Sequence, residues 1–139
     1  MKTKRVHVFR VKPDEEIIEA VTQYCQANKI TSAIVTGIIG SLQSVKLGFL
    51  KELPGKYDTH DFQGPLEIVC AQGTVALCDD QLILHIHIMA SNEDGAVGGH
   101  LSKGHVFSTA EVVLTELNEQ IKRQPDDYTG LNELAETLK

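Results

Sequence analysis

The chain contains no tryptophan, and aromatic residues make up only 5% of its 139 residues. It also lacks any apolar run near the roughly 20 residues that cross a bilayer, so we expect no membrane segment. Three cysteines without C-x-x-C spacing argue against a disulfide framework and predict small buried side chains at Cys25, Cys70 and Cys78. The basic N-terminus leads into an alternating pattern and not into a signal-peptide core, which predicts a cytoplasmic protein.

An excess of positive charge is absent as well. The chain has 13 Lys and Arg against 19 Asp and Glu, for a formal net charge of −6. Because phosphate neutralisation needs a concentrated basic surface, this balance makes nucleic acid an improbable partner unless a local patch or an oligomer face is basic. The candidate cations are scattered and not interleaved with aromatic residues; they are Lys2, Lys4 and Arg5 at one end, and Lys46, Lys51 and Lys56.

The hydrophobic pattern predicts one α+β domain over residues 1–139, dominated by antiparallel strands, with a C-terminal tail from about residue 120. A helix is expected over residues 14–28, because Pro13 precedes three acidic residues and apolar residues follow at helical spacing. The tail is expected to hold a short helix over residues 131–138, and Pro-Gly and Gly-Pro pairs predict a loop over residues 52–64. Strands are expected at 5–11, 32–39, 45–50, 66–77, 82–90, from 97 onwards, and at 106–117.

The most informative pattern is a pair of histidines, His85 and His87, in a β-branched apolar run. Side chains two residues apart in a strand project from the same face. A hairpin turn centred between Glu93 and Asp94 would place His100 directly opposite His87. Three converging imidazoles can hold a transition-metal ion and leave a coordination position open.

Two alternatives stay open at this point. A turn with Asp94 and Gly95 as its central pair would shift the register by two residues and weaken the alignment. The histidines could also be polar residues on a half-exposed sheet face. Gly98 and Gly99, directly before His100, favour a close approach of backbone and are the candidate positions for backbone contact with a bound group.

Several motifs together resemble the plants-and-prokaryotes-conserved (PPC) domain family, in its stand-alone prokaryotic form. The resemblance covers nearly the whole chain. The residues that carry it are His85-x-His87, Asp94-Gly95, Val97-Gly98-Gly99-His100-Leu101 and Gly104, with Gly64-Pro65-x-Glu67-Ile68, Gly73-Thr74, Ala110-Glu111-Val112-Val113, Arg10-x-Lys12-Pro13, Gly37-x-x-Gly40-Ser41 and Asp127-x-Thr129-Gly130-Leu131-x-x-Leu134.

The resemblance implies a strongly bent, mainly antiparallel sheet with one main helix packed on it, and a homotrimer. It also implies a fold related to acetolactate decarboxylase, whose zinc is held by histidines. Prokaryotic members keep the three histidines, which plant members generally lack. They are often labelled predicted DNA-binding proteins by association with plant members that carry AT-hooks, but this sequence has no Arg-Gly-Arg core.

These observations lead to one main functional hypothesis. We expect zinc, or another divalent transition metal, bound by His85, His87 and His100 in an enzyme that acts on a small carbonyl or ester substrate. Glu67 is the candidate general acid or base, or an orienting residue, and Arg10 is the candidate clamp for a substrate carboxylate.

Two further hypotheses compete with it. The first is a DNA-associated regulatory protein, as the family label suggests. The second is a non-catalytic trimeric scaffold or small-ligand sensor, in which metal only stabilises the hairpin. Tight DNA binding with a steep salt dependence would favour the first of these, and stabilisation by metal without turnover would favour the second.

Overall fold

The computed structural model describes residues 1–135, which form one helix and seven strands. The α+β class predicted from the sequence is confirmed. In chain order the elements are β1 (Thr3–Val11), α1 (Ile17–Ala27), β2 (Ala33–Glu52), β3 (Lys56–Cys78), β4 (Gln81–Asn92), β5 (Gly95–Leu117), β6 (Lys122–Pro125) and β7 (Asn132–Leu134). Within this part of the chain, no helix has the length and apolarity needed to cross a membrane. The cytoplasmic location stays a prediction.

The sheet is antiparallel at every described pairing except one. Strand β2 pairs with β3 and β5, and β4 pairs with the same two strands on their other sides, so the four long strands form a closed circuit of pairing. Strand β1 is added outside β5, and β6 joins β3 in the single parallel pairing. This circuit encloses the apolar core and fixes the positions of β4 and β5, where the histidines lie.

The strands are longer than the sequence indicated, and they contain bulges instead of loops. The loop expected over residues 52–64 is wrong, because only the turn between Glu52 and Lys56 interrupts pairing there. The pair Gly64-Pro65 lies inside β3, at a register shift where Leu42 faces Leu66 and Ser44 faces Gln63. Proline cannot donate to a ladder and is tolerated at bulges, and bulges bend long strands. The predicted segments 32–39 and 45–50 likewise form one strand.

The tail joins the sheet as strands. The short helix expected over residues 131–138 is wrong where the structure describes it, since Asn132–Leu134 pairs with Lys122–Pro125 as an antiparallel ladder; residues 136–139 lie outside the described part. Pairing of Leu77 with Lys122 and of Cys78 with Arg123 attaches this small hairpin to the edge of β3. The described part of the tail therefore belongs to the sheet, at the edge of β3.

The helix α1 starts three residues later than the sequence pattern predicted. Glu16 is its N-cap, accepting hydrogen bonds from the backbone N–H of Ile18 (3.1 Å) and Glu19 (2.8 Å). The same carboxylate accepts from the N–H of Gly104 (2.8 Å), which ties the start of the helix to β5. Capping of this kind satisfies backbone donors that the first helical turn leaves open. The helix buries Ile17, Val21 and Cys25 against the sheet.

The three cysteines differ in environment. Cys25 is buried as expected, but Cys70 is exposed and Cys78 is partly exposed, so the prediction of three buried side chains is wrong for the latter two. Both lie on β3 outside the enclosed core, because alternate residues of a strand face opposite sides. All three are free thiols.

Candidate metal centre

Strand β4 presents its apolar residues to the core and its histidines to the opposite face. Ile86, Ile88 and Ala90 are buried, whereas His85 and His87 alternate with them and project from the other side. The period of two that suggested this arrangement in the sequence therefore holds.

The predicted register of the second hairpin is confirmed. Asn92 pairs with Gly95 across the turn, and His87 pairs directly with His100. The imidazole centroids form a nearly equilateral triangle, with 5.1 Å from His85 to His87, 5.1 Å from His85 to His100 and 5.6 Å from His87 to His100. One ring nitrogen of each residue lies within 4.8 Å of the others. The structure thus brings the three predicted ligands together.

Two of the three histidines, His85 and His100, lie in surroundings that favour the neutral imidazole. Burial lowers the pKa of His85 to about 4, and the adjacent charges of Arg123, His100 and His87 act in the same direction. Burial also lowers the pKa of His100, with a further contribution from His87. Because a neutral imidazole is the form that binds metal, protons compete little for these two positions at neutral pH.

The donor set fits a zinc ion. Nδ1 of His100 is buried and has no hydrogen-bond partner among residues 1–135, which is a costly state for a polar atom that no ligand or solvent meets. Three nitrogens evenly spaced at about 2.1 Å from one ion are at most about 3.6 Å apart, so the ring nitrogens, now within 4.8 Å of one another, would move closer together to bind it. Three imidazoles with room for a fourth ligand match catalytic zinc better than closed structural zinc.

A buried arginine from the tail borders the histidines. The guanidinium of Arg123 is within hydrogen-bond distance of Nδ1 of His85 (3.2 Å) and donates to Oγ1 of Thr74 (2.9 Å) and the carbonyl of Asn132 (2.9 Å). Only 8% of Arg123 is exposed, and burial lowers the pKa of its guanidinium from the ordinary value. Arginine remains charged in proteins, so this is a buried cation next to the cluster.

A cavity of about 370 Å³ opens over two of the histidines. His85, His100 and Arg123 line it together with Tyr57, Ser102 and Leu131. A Cβ on Gly48 would lie 3.2 Å from the Tyr57 ring, so glycine at that position leaves space for this ring, whose centroid is 5.7 Å from that of His100. The volume suits a small molecule.

The other predicted site residues lie elsewhere in this chain. Glu67 is exposed and pairs with Ser91, four residues beyond His87 on β4, which corresponds to roughly 13 Å along a strand. Arg10 is on β1, where it donates to Oγ1 of Thr109 (2.9 Å) and the carbonyl of Ser108 (3.3 Å). Neither joins the histidine cluster. Their catalytic roles stay predictions that would need a second copy of the chain to bring them to the site.

The two glycines before His100 make close contacts with protein. A Cβ on Gly98 would lie 3.1 Å from the carbonyl oxygen of Ile88, and one on Gly99 would lie 3.1 Å from that of Gly48. These glycines therefore let β4 and β2 approach β5 at the level of the histidines. Backbone contact with a bound group stays a prediction.

Sequence reasoning missed Arg123 altogether. Its contacts reach residues 38 and 49 positions earlier in the chain, and no periodicity or motif in the polar tail indicates them. The one indication in the sequence was the pair Gly73-Thr74 in the family pattern, because Oγ1 of Thr74 accepts a hydrogen bond from the guanidinium.

Fold and site together define a class of single-domain α+β proteins with a partly exposed three-histidine cluster on a closed set of long strands. The family model of the Plants and Prokaryotes Conserved (PCC) domain matches residues 1–118, and the chain belongs to this family. The comparison with curated proteins gives no match.

Solved structures agree with this assignment. A plant- and prokaryote-conserved protein from Pyrococcus horikoshii is 32% identical, with 99% of this chain and 95% of that chain covered and a TM-score of 0.87. A candidate DNA-binding protein from Bacteroides thetaiotaomicron is 26% identical over 97% and 94%, with a TM-score of 0.89. The metal-containing protein from Archaeoglobus fulgidus is 24% identical over 97% and 96%, with a TM-score of 0.88.

A more distant likeness confirms the fold relationship expected from the sequence. Acetolactate decarboxylase from Bacillus subtilis is 14% identical, with 90% of this chain and 57% of that chain covered and a TM-score of 0.57. At this identity the likeness concerns the fold alone.

Proposed function

We propose that His85, His87 and His100 bind one zinc ion, and that the protein is a zinc-dependent enzyme for a small carbonyl or ester substrate. The observation that carries the proposal is the convergence of three ring nitrogens within 4.8 Å on an accessible face of the sheet. The metal-containing neighbour from Archaeoglobus fulgidus has the same fold, which is consistent with metal at this position.

The residues around the cluster supply what such a reaction needs from the protein. Zinc, when bound, would polarise a substrate oxygen or lower the pKa of its bound water towards ~7. The cavity beside His85 and His100 holds a small substrate, and Tyr57 and Leu131 form part of its wall and limit the access of water. The low pKa values keep His85 and His100 available as ligands at neutral pH.

Elemental mass spectrometry combined with an esterase assay tests the proposal. We expect about one zinc per chain, and hydrolysis of 4-nitrophenyl acetate that a chelator abolishes and added zinc restores. Zinc without any turnover, accompanied by a higher melting temperature, would instead favour the non-catalytic scaffold or ligand sensor. Absence of metal even after reconstitution would refute the metal site.

Zinc binding is expected to release few protons in mildly acidic solution. Three imidazoles with the ordinary pKa of 6.5 would together release more than about two protons on binding zinc at pH 6. Because the pKa of His85 is about 4, this ring is already neutral there, and the lowered pKa of His100 reduces the protons that it carries, so we expect fewer than two. Calorimetry in buffers of different ionisation enthalpy measures this number, and a value of two or more would contradict the lowered pKa values.

We also propose a homotrimer, in which a neighbouring copy covers the face that carries the histidines. Cross-strand pairing places Val6, Thr115, Ile34, Thr74 and His85 in one row across the sheet, all on that face. Val6 is 55% exposed and Ile34 is 39% exposed, so two of the five residues in the row offer apolar surface to a neighbouring copy on the face of His85. Light scattering is expected to give about three times 15.3 kDa, and a monomer would rule out the proposal.

The charge distribution supports the metal proposal over DNA binding. Lys4 pairs with Glu116 (2.7 Å), Lys46 with Asp61 (3.7 Å) and Lys56 with Glu52 (2.9 Å). Each of these cations is already matched by a carboxylate, in a chain whose net charge is −6. No binding of duplex DNA is expected even at low salt, where phosphate contacts are strongest.

A further inference from the structure

The starting observation is a buried guanidinium that lacks a carboxylate. Among residues 1–135 no Asp or Glu oxygen lies within ion-pair distance of Arg123; Glu133 lines the same cavity and acts on the guanidinium by its charge, without direct contact. Nε of Arg123 is buried and has no hydrogen-bond partner in that part of the chain. A buried charge without a carboxylate in direct contact is costly, and an arginine that retains free donors beside a cavity can bind an anion there.

The contact between Arg123 and His85 cannot persist when His85 binds zinc. The guanidinium only donates, so Nδ1 of His85 accepts in the present arrangement (3.2 Å). If Nδ1 is the zinc ligand, its lone pair is used. If Nε2 is the ligand, a neutral ring carries its proton on Nδ1, which then cannot accept. Zinc binding therefore releases an N–H of Arg123 in either case.

We propose that Arg123 binds the carboxylate of a small organic acid in this cavity, next to the zinc. This assignment rests on the proposed function and narrows its substrate class to carbonyl compounds or esters that bear a carboxylate. The planar fork of donors suits a carboxylate, and the released N–H together with Nε supplies two of them. The group is one hydrogen bond from His85, so the rest of the acid extends towards the three imidazoles.

Zinc and the carboxylate stabilise each other's binding in this arrangement. Zinc frees an Arg123 donor and adds positive charge, and the anion offsets the repulsion between the ion and the guanidinium. By thermodynamic linkage, each ligand raises the affinity of the other by the same factor. Because zinc alone also attracts anions, the contribution of Arg123 must be separated by substitution.

Calorimetric titration with pyruvate and with its uncharged analogue pyruvamide tests the proposal. Both probes are titrated into zinc-free and zinc-loaded protein, for the wild type and for Arg123→Gln, Arg123→Lys and Arg10→Gln. In the zinc-loaded wild type and in Arg10→Gln, we expect pyruvate to bind at least about tenfold tighter than pyruvamide. In Arg123→Gln the preference for pyruvate over pyruvamide should shrink to the small part that zinc itself contributes. Arg123→Lys should show an intermediate preference, because lysine keeps the positive charge without the planar fork of donors.

The outcomes separate the two proposals. Zinc affinity is measured in the same preparations, and protein that binds no zinc refutes the proposed function. If the zinc-free wild type still prefers pyruvate and Arg123→Gln removes this preference, the carboxylate site is supported independently of zinc. Zinc binding with equal affinity for both probes overturns the carboxylate site alone. A preference lost in Arg10→Gln and kept in Arg123→Gln would transfer the role to Arg10. If Arg123→Gln does not fold, the affinities of Arg123→Lys and of the wild type for pyruvate and pyruvamide decide whether Arg123 binds the carboxylate.

Discussion

Replacement of both His85 and His87 by alanine is expected to remove nearly all bound zinc. Two of the three ligands are lost, and only His100 remains to bind the ion. Complete zinc sites in small domains bind with about 10–16 kcal/mol, so losing most of the ligands should lower the affinity by more than about a thousandfold. Zinc content measured by elemental mass spectrometry should fall from about one per chain to near zero.

A double variant outside the cluster is the matched control. His60→Ala/His105→Ala also removes two imidazoles, but His60 lies against Phe49 and His105 is near Ser44 (3.5 Å), so neither belongs to the triangle. This variant should retain full zinc. Zinc kept by the His85/His87 variant, or lost equally from both, would show that the ion is bound elsewhere.

Substitution of Gly73 by alanine is expected to disrupt both the sheet and the site. Gly73 pairs with Ile86 on β4, and a Cβ there would overlap the carbonyl oxygen of His85 and lie 2.9 Å from Cα and Cγ1 of Ile86. Backbone cannot move aside as a flexible side chain does, so β3 and β4 must separate beside His85. We expect a loss of about 1–3 kcal/mol in the free energy of unfolding, a lower melting temperature and weaker zinc binding.

Gly37→Ala provides the comparison within the same sheet. A Cβ at Gly37, on β2, would have no heavy atom within 4 Å, so overpacking is not expected there. Thermal denaturation followed by circular dichroism measures both variants against the wild type. Equal melting temperatures for the Gly73 and Gly37 variants would mean that β3 and β4 have more freedom than the close pairing at Gly73 allows.

The sequence predicted the histidine cluster because that part of the fold is local. His85 and His87 are two residues apart, and His100 follows within one hairpin, for which the turn left two registers open and the structure has the one centred between Glu93 and Asp94. The period of two then determines which side chains share a face. Hairpin geometry and strand periodicity both act over short stretches of chain, so a single sequence is enough to predict them.

What the sequence did not predict depends on contacts between distant segments. The pair Gly64-Pro65 is typical of a loop when it is considered alone, and only the pairing of β3 with β2 along its whole length makes it a bulge. The tail was expected to contain a helix, but pairing of β6 with β3 gives its backbone donors and acceptors partners in the sheet. Arg123 is part of the site for the same reason.

The parallel strand β6 has a consequence for how this protein can diversify. The family model matches residues 1–118, whereas Arg123 lies in the segment that follows the match. The histidines proposed to bind zinc and the arginine proposed to bind an anion thus lie in separate stretches of chain, and the second stretch pairs with the edge of β3. Under the two proposals, substitutions in this short segment would alter the ligand preference while the three histidines that hold the ion stay the same.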